Sequence, residues 1–209
     1  MAPTSEPTIF VVDDEEDIRD ALRMLLASVK LRVETFGSAR EFLAAYDPAR
    51  AGCMILDVRM PGMSGPELQE QLRANNINIP IIIITGHGDV PTAVRTMKAG
   101  AIDVLEKPFS DDLLLERVYQ ALERDAAARA EQAEREKVAK RMARLTPRER
   151  EVMGAIVQGK LNKVIAADLG LSTRTVEIHR ARIMEKMGAR SVSILTRMVL
   201  LIEGTQVAP

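Results

Sequence analysis

Three aspartates, a threonine and a lysine stand where short apolar runs give out. The run 8–12 leads into Asp13 and Asp14, the run 53–56 into Asp57 and the run 79–84 into Thr85, while the run 102–105 is followed, after Glu106, by Lys107 and Pro108. If these runs are parallel strands, their carboxyl ends form one rim, and three carboxylates, a hydroxyl and an ammonium converge on it. Clustered carboxylates repel and raise one another's pKa unless a cation lies among them. A hard divalent cation answers that repulsion. Magnesium takes an octahedral shell of oxygens, keeps several waters and commonly meets a phosphate, so Asp14, Asp57 and the backbone carbonyl of Arg59 suffice as protein ligands, with Asp13 acting through a bound water. The competing reading makes Asp13 and Asp14 the caps of a helix beginning near Glu15. It leaves Asp57, Thr85 and Lys107 unexplained.

The elements that must position these residues follow from periodicity. With the run 31–36 added, five strands are expected, and between them Ile18, Leu22, Leu25 and Leu26, then Leu68 and Leu72, then Val94 and Met97 recur at helical spacing. The stretch Ile81 to Ile84 is apolar without alternation, as expected when helices cover both faces of a parallel sheet. The expected fold over residues 1–123 is therefore α/β: a doubly wound, five-stranded parallel sheet closed by a helix over 113–122.

Val11-Val12-Asp13-Asp14, Leu56-Asp57-Val58-Arg59-Met60-Pro61-Gly62-Met63-Ser64-Gly65, Ile84-Thr85-Gly86 and Glu106-Lys107-Pro108-Phe109 together resemble the motifs of the receiver-domain family. The resemblance implies that Asp57 accepts a phosphoryl group from a phosphohistidine on a sensor histidine kinase, with Asp13 and Asp14 holding Mg2+. It also implies that Lys107 pairs with the phosphoryl oxygens, that Thr85 hydrogen-bonds to them, and that Lys107-Pro108 is a cis peptide. Such chemistry needs an in-line nucleophile and neutralised charge more than proton transfer. Gly86 leaves room for the phosphoryl group, and Arg59 and His87 flank the site, His87 reading as an exposed loop residue. One position departs from the pattern: three before Lys107, where the family often has an aromatic that changes rotamer on activation, stands Val104. The signal is then expected to leave through backbone shifts and the helix over 90–99, whose surface, with the last strand, is expected to mediate homodimerisation on phosphorylation.

Residues 124–143 continue a stretch without proline or glycine, rich in Ala, Glu, Arg and Lys, that favours helix. Asp125, Arg129 and Gln132 fall on the heptad seam, so a coiled coil is not supported and a solvated helical linker is expected.

Residues 144–209 read as a small all-α helix-turn-helix domain. Thr146-Pro147-Arg148-Glu149 combines a capping hydroxyl, proline at the first helical position and glutamate three after the cap. A short helix over 163–169 capped by Asn162, then a longer one over 173–187 capped by Ser172, match the helix-turn-helix plan, and a fourth helix follows over 191–203. On the longer helix Val176, Ile183 and Met187 share one arc, while Arg174, Ile178, Ala181, Arg182 and Glu185 share the opposite one. Isoleucine between arginines suits a major groove, where apolar atoms touch thymine methyls and arginine reaches guanine; Glu177 can accept from cytosine. Lys163, Thr175, His179, Arg180 and Lys186 are the candidate phosphate contacts. A solvated basic helix face is the plainer alternative.

Leu145-Thr146-Pro147-Arg148-Glu149-Arg150-Glu151-Val152, Asn162-Lys163-Val164-Ile165-Ala166 and Ser172-Thr173-Arg174-Thr175-Val176-Glu177-Ile178-His179 resemble the LuxR-type DNA-binding domain, and the whole chain resembles the FixJ type of response regulator. That resemblance implies double-stranded promoter DNA and RNA polymerase as partners, an inverted-repeat operator, and a dimer interface near Leu195, Met198 and Val199.

Charge agrees with the division. Residues 1–123 hold 12 basic and 20 acidic side chains (net −8), 124–143 hold 6 and 4 (net +2) and 144–209 hold 11 and 6 (net +5). An acidic front suits a cation site and a basic back suits a polyanion. The apolar run at 9–12 is too short for a signal peptide or membrane span, so a cytoplasmic location and no membrane partner are expected. One cysteine and two histidines make a poor zinc site. A phosphatase of the haloacid dehalogenase type needs an aspartate two after the nucleophile, where Arg59 stands. Aromatics at 3% with no Trp argue against holding single-stranded bases by stacking. A DNA-binding regulator that works without phosphorylation is the remaining alternative.

Overall fold

The computed structural model describes residues 6–86 and 90–204, and the chain divides into two compact units, Met1–Arg129 and Ala130–Pro209. The first unit runs β1 (Thr8–Val12), α1 (Glu16–Ser28), β2 (Arg32–Phe36), α2 (Ala39–Ala45), β3 (Gly52–Asp57), α3 (Gly65–Ala74), β4 (Ile81–Thr85), α4 (Val90–Lys98), β5 (Asp103–Glu106) and the start of α5 (Asp111–Met142). Its five strands lie in the order β2-β1-β3-β4-β5, every pairing parallel.

The period of two sorts each strand between two cores. Ile9, Val11, Cys53, Ile55, Ile82 and Ile84 pack on one face with Leu22, Leu26, Leu114 and Val118. Phe10, Val12, Met54, Leu56, Ile81 and Ile83 pack on the other with Phe42, Leu68 and Leu72. Nearly every side chain of the three central strands is fully buried, which removes any alternation and explains the unbroken apolar runs. Each such Ile or Leu contributes roughly 1.5–3 kcal/mol of transfer free energy. Val104 is half-buried against the second of these cores.

Backbone approach fixes two glycines. A Cβ on Gly52 would lie 1.8 Å from the Thr8 carbonyl oxygen, and one on Gly65 would lie 2.2 Å from that of Asp57. Gly65 thereby lets α3 start directly against the end of β3, where its N–H donates to Val58 O at 3.0 Å. Ser64 and Glu67 form a capping box at that start.

Helix α5 is exposed over most of residues 124–143, but some of its side chains are engaged with the units it belongs to. Asp125 is buried and accepts the Gly52 N–H at 2.9 Å. Arg129 holds both Asp125 oxygens at 2.9 and 3.0 Å and donates to the carbonyls of Pro48, Ala49 and Arg50. Further along, Val138 is fully buried in the core of the second unit, and Arg141 donates to Met187 O at 3.0 Å. Two of the polar seam residues, Asp125 and Arg129, find backbone partners, whereas Gln132 stays exposed and donates to Glu136.

The second unit continues with α6 (Pro147–Val157), α7 (Asn162–Leu169), α8 (Thr173–Met187) and α9 (Val192–Glu203). Thr146 and Glu149 form the expected capping box, and Ser172 and Ser191 cap α8 and α9. Asn162, expected to cap α7, is instead its first residue; Leu161 holds the cap position without a side-chain bond. Asn162 Oδ1 accepts from Arg180 at 3.3 Å, which explains why its side chain turns away from the helix start. Val152, Ile156, Ile165, Val176, Ile183 and Met187 make the core together with Leu195, Met198 and Val199. That burial corrects the expectation of an interface at those three residues: they close their own core, and Leu200, 59% exposed, is the large apolar side chain that α9 presents to solvent. Among the described residues no helix is long and apolar enough to cross a membrane.

Candidate functional site

The sheet register brings the expected rim together. Asp57 ends β3 opposite Ile84, and Thr85 ends β4 opposite Glu106; Asp13 follows β1 directly, and Lys107 follows β5 with its N–H on Thr85 O at 2.8 Å. The Lys107–Pro108 peptide is cis. Lys107 Nζ lies 2.8 Å from Asp57 Oδ1 and 3.1 Å from Asp13 Oδ2, with Glu15 at 3.6 Å.

Each carboxylate is also held by backbone. Asp57 Oδ2 accepts the Arg59 N–H at 2.6 Å, and Asp13 Oδ1 accepts that of Glu15 at 2.8 Å. Asp13 is fully buried, Asp57 and Thr85 are each 5% exposed, and Asp14 is exposed. Asp14 lines an open cleft of about 620 Å³ with Val58, Arg59 and Met60. The Thr85 hydroxyl donates to Gly86 O at 3.3 Å. Sequence reasoning missed Arg19, which fixes the Asp13 carbonyl at 2.7 Å; no spacing rule links the two. His87 lies outside the described residues.

At the rim the Lys107 ammonium contacts both Asp13 and Asp57 and offsets their mutual repulsion. Burial pushes the Asp57 carboxyl above the usual range, with the Lys107 bond and the Arg59 N–H acting in the opposite direction. Burial works against the Lys107 ammonium, but Asp57 and Asp13 outweigh it and raise its pKa. The donor set itself fits a hard cation. Asp13, Asp14 and Asp57 offer only oxygens, and Asp14 faces the cleft beside Arg59, so a divalent ion would meet carboxylates and solvent.

On the second unit, α8 carries the candidate nucleic-acid surface. Arg174, Glu177 and Arg182 are exposed, as is Lys163 on α7, and Ile178 is 45% exposed. Among the described residues Lys163, Arg174 and Arg182 make no hydrogen bond or ion pair with protein. Thr175 is tied to the cap, its N–H on Ser172 Oγ at 3.0 Å, and Arg180 is held by Asn162. His179 is half-buried, with Nδ1 out of solvent and lacking a partner among the described residues.

Lys186, a candidate phosphate contact, is also engaged within the protein. Its ammonium lies 2.6 Å from Glu149 Oε2, and Glu149, 2% exposed, also accepts the Thr146 N–H at 2.8 Å. The Lys186 bond first, then the Thr146 N–H, lowers the Glu149 pKa to about 2. Lys186 thus braces α8 against α6. The capping box marked Glu149 in the sequence, but nothing there indicated a second partner 37 residues away.

A flavodoxin-like sheet with buried aspartates and a lysine at its carboxyl rim, joined to a helix-turn-helix unit, is the architecture of a two-component response regulator. Residues 9–119 match the response regulator receiver domain and residues 143–199 match the bacterial regulatory proteins of the luxR family. The chain belongs to the FixJ type of response regulators. It is 47% identical to the transcriptional regulatory protein FixJ of Rhizobium meliloti, over 92% of this chain and 95% of that protein. It is 46% identical to the C4-dicarboxylate transport transcriptional regulatory protein DctR of Rhodobacter capsulatus, over 91% and 98%. The solved structure of the response regulator StyR superposes with a TM-score of 0.84 at 46% identity, covering 93% of this chain and 98% of that one. Full-length FixJ from B. japonicum does so with 0.59 at 42%, covering 96% and 98%.

Proposed function

We propose that Asp57 takes a phosphoryl group from a phosphohistidine of a sensor histidine kinase, and that the phosphorylated chain dimerises and binds promoter DNA to regulate transcription in the cytoplasm. One observation carries this reading: the Lys107 ammonium contacts both Asp57 and Asp13, at 2.8 and 3.1 Å, at the carboxyl rim of the sheet. A carboxylate oxygen of Asp57 attacks phosphorus in line. The P–O bond of an acyl phosphate forms as the P–N bond breaks, and the imidazole leaves. Lys107 passes from its carboxylate partner to the incoming phosphoryl oxygens and offsets their charge. Thr85, with its hydroxyl on a neighbouring carbonyl, turns to donate to the same oxygens. Asp13, Asp14, Asp57 and the Arg59 carbonyl would hold Mg2+, which supplies charge neutralisation on the transferring group. The Arg59 N–H on Asp57 and the Glu15 N–H on Asp13 fix one oxygen of each carboxylate and leave the other toward Lys107.

Val94 and Met97, both nearly half exposed on α4, support a dimer surface built from α4 and β5. Arg174, Ile178 and Arg182 read base edges, with Glu177 beside them; Lys163, Thr175, His179 and Arg180 contact phosphates. The dimer favours an inverted-repeat operator and works with RNA polymerase. Mixing the full-length protein with a small-molecule phosphodonor and Mg2+ tests the proposal. Wild type gains one phosphoryl group, sediments as a dimer and binds DNA more tightly, and Asp57→Asn does none of these. An Asp57→Asn protein that binds DNA as the phosphorylated wild type does would instead favour a regulator independent of phosphorylation.

A further inference from the structure

Val104 removes the aromatic rotamer switch from β5, so the position of α4 must be controlled by other contacts. Gln69 on α3 is 4% exposed, and its Nε2 donates to the Thr96 carbonyl near the end of α4 at 3.1 Å. Its Oε1 is buried and has no partner among the described residues. The same Thr96 carbonyl accepts the Ala101 N–H at 3.0 Å, and the fully buried Thr96 hydroxyl is spent within α4 on Thr92 O and Ala93 O. The side-chain ion pair joining these helices, Arg95–Glu70, has both partners more than half exposed and so holds little. Beside Gln69 lies a recess of about 280 Å³ walled in part by Lys98, Ala99 and Gly100 at the end of α4.

We infer that Gln69 is a tether between α3 and the end of α4 that sets how readily α4 leaves its resting position. This rests on the phosphorylation reading above and names a residue that regulates it. The bond donated to the Thr96 carbonyl is a single neutral hydrogen bond, a preference of about fivefold for the tethered position. The tethered and released positions of α4 therefore differ little in free energy, as a helix that a single phosphoryl group must shift requires. Gln69→Leu removes the donated bond and leaves the Thr96 carbonyl with its Ala101 partner. No buried polar group is orphaned, so the fold survives while α4 is freed.

The test uses full-length, unphosphorylated Gln69→Leu and Gln69→Met beside wild type with and without phosphodonor. Amide hydrogen exchange across residues 92–101 is expected to quicken roughly fivefold, the loss of one neutral hydrogen bond, with α3 and the strands unchanged. Self-association of the unphosphorylated variants is expected to rise by a similar factor, and phosphoryl uptake at Asp57 to stay at the wild-type rate. Exchange across 92–101 that matches wild type in both variants overturns the inference. So does faster exchange throughout the first unit, which would make Gln69 a brace of the fold. If exchange rises only in 92–101 while phosphorylated wild type remains monomeric, the tether stands and the dimerisation reading falls.

Discussion

Asp13, Asp57, Thr85 and Lys107 come from the ends of four strands and meet through contacts that span as many as 94 residues, whereas Arg174, Ile178 and Arg182 lie along one face of a single helix. In the first group Asp13, Asp57 and Thr85 are buried and Lys107 is half-buried, and its geometry is imposed by the register of a parallel sheet. Its charges cannot relax into water, so each must be matched inside the protein. The second group is exposed, and its members need only the helix and its brace. Loss of one member of the rim should therefore be severe and cooperative, and loss of one α8 side chain mild and nearly additive.

Lys107→Ala presses hardest on this contrast. It leaves Asp13 and Asp57 facing each other in a buried site without the ammonium between them, and it removes the cation that would meet the phosphoryl oxygens. Phosphoryl uptake from a small-molecule donor is expected to fall by about 100-fold or more, the scale of one preorganised electrostatic partner. A rate within twofold of wild type would place the rim among ordinary surface ion pairs.

In the second unit Glu149 is a buried carboxylate paired with Lys186, and this pair should behave like the rim. Glu149, held near a pKa of about 2 chiefly by Lys186, contributes stability that is fully present above its unfolded value of about 4.5 and lost as pH falls through that value toward 2. Lys186→Met leaves the carboxylate with the Thr146 N–H but without its cation and is expected to cost about 2 kcal/mol at neutral pH, measured by denaturant unfolding of the second unit's transition. Glu149→Gln should flatten the decline of the melting temperature between pH 4.5 and 2 relative to wild type. Equal slopes in the two proteins would remove Glu149 from the account.

Sequence reasoning succeeded where one physical rule dominates a position. Ile81 to Ile84 could only be a strand covered on both faces, Asp57 and Thr85 had to follow their apolar runs onto the rim, and Thr146 with Glu149 had to open a helix. It failed where a side chain has several equivalent partners within reach. Asp125 and Arg129 looked solvated because local patterning is blind to a segment as far as 80 residues away, where Arg129 holds the Ala49 carbonyl and Asp125 accepts the Gly52 N–H. The glutamate partner of Lys186 went unseen because a basic residue on the flank of α8 reads alike whether it faces DNA or a buried glutamate. Leu195, Met198 and Val199 were expected at an interface, yet an apolar stripe on a terminal helix serves its own core first.

The smallest effects separate the residues that read bases from those that hold the backbone. Arg174, Arg182 and Lys163 are exposed and without protein partners among the described residues, so truncating any of them leaves the fold intact and reports on DNA alone. Arg174→Ala, or Arg182→Ala, is expected to cost about 1–3 kcal/mol on the preferred operator and to relax discrimination at one base position. Lys163→Ala is expected to weaken all sequences alike and to reduce the slope of log affinity against log salt by about 1. Competition binding to an operator and to its single-base variants, repeated at two salt concentrations, distinguishes the two patterns. If all three variants lower the salt slope and none alters base preference, α8 contacts only the backbone, and sequence selection must come from the shape of the DNA.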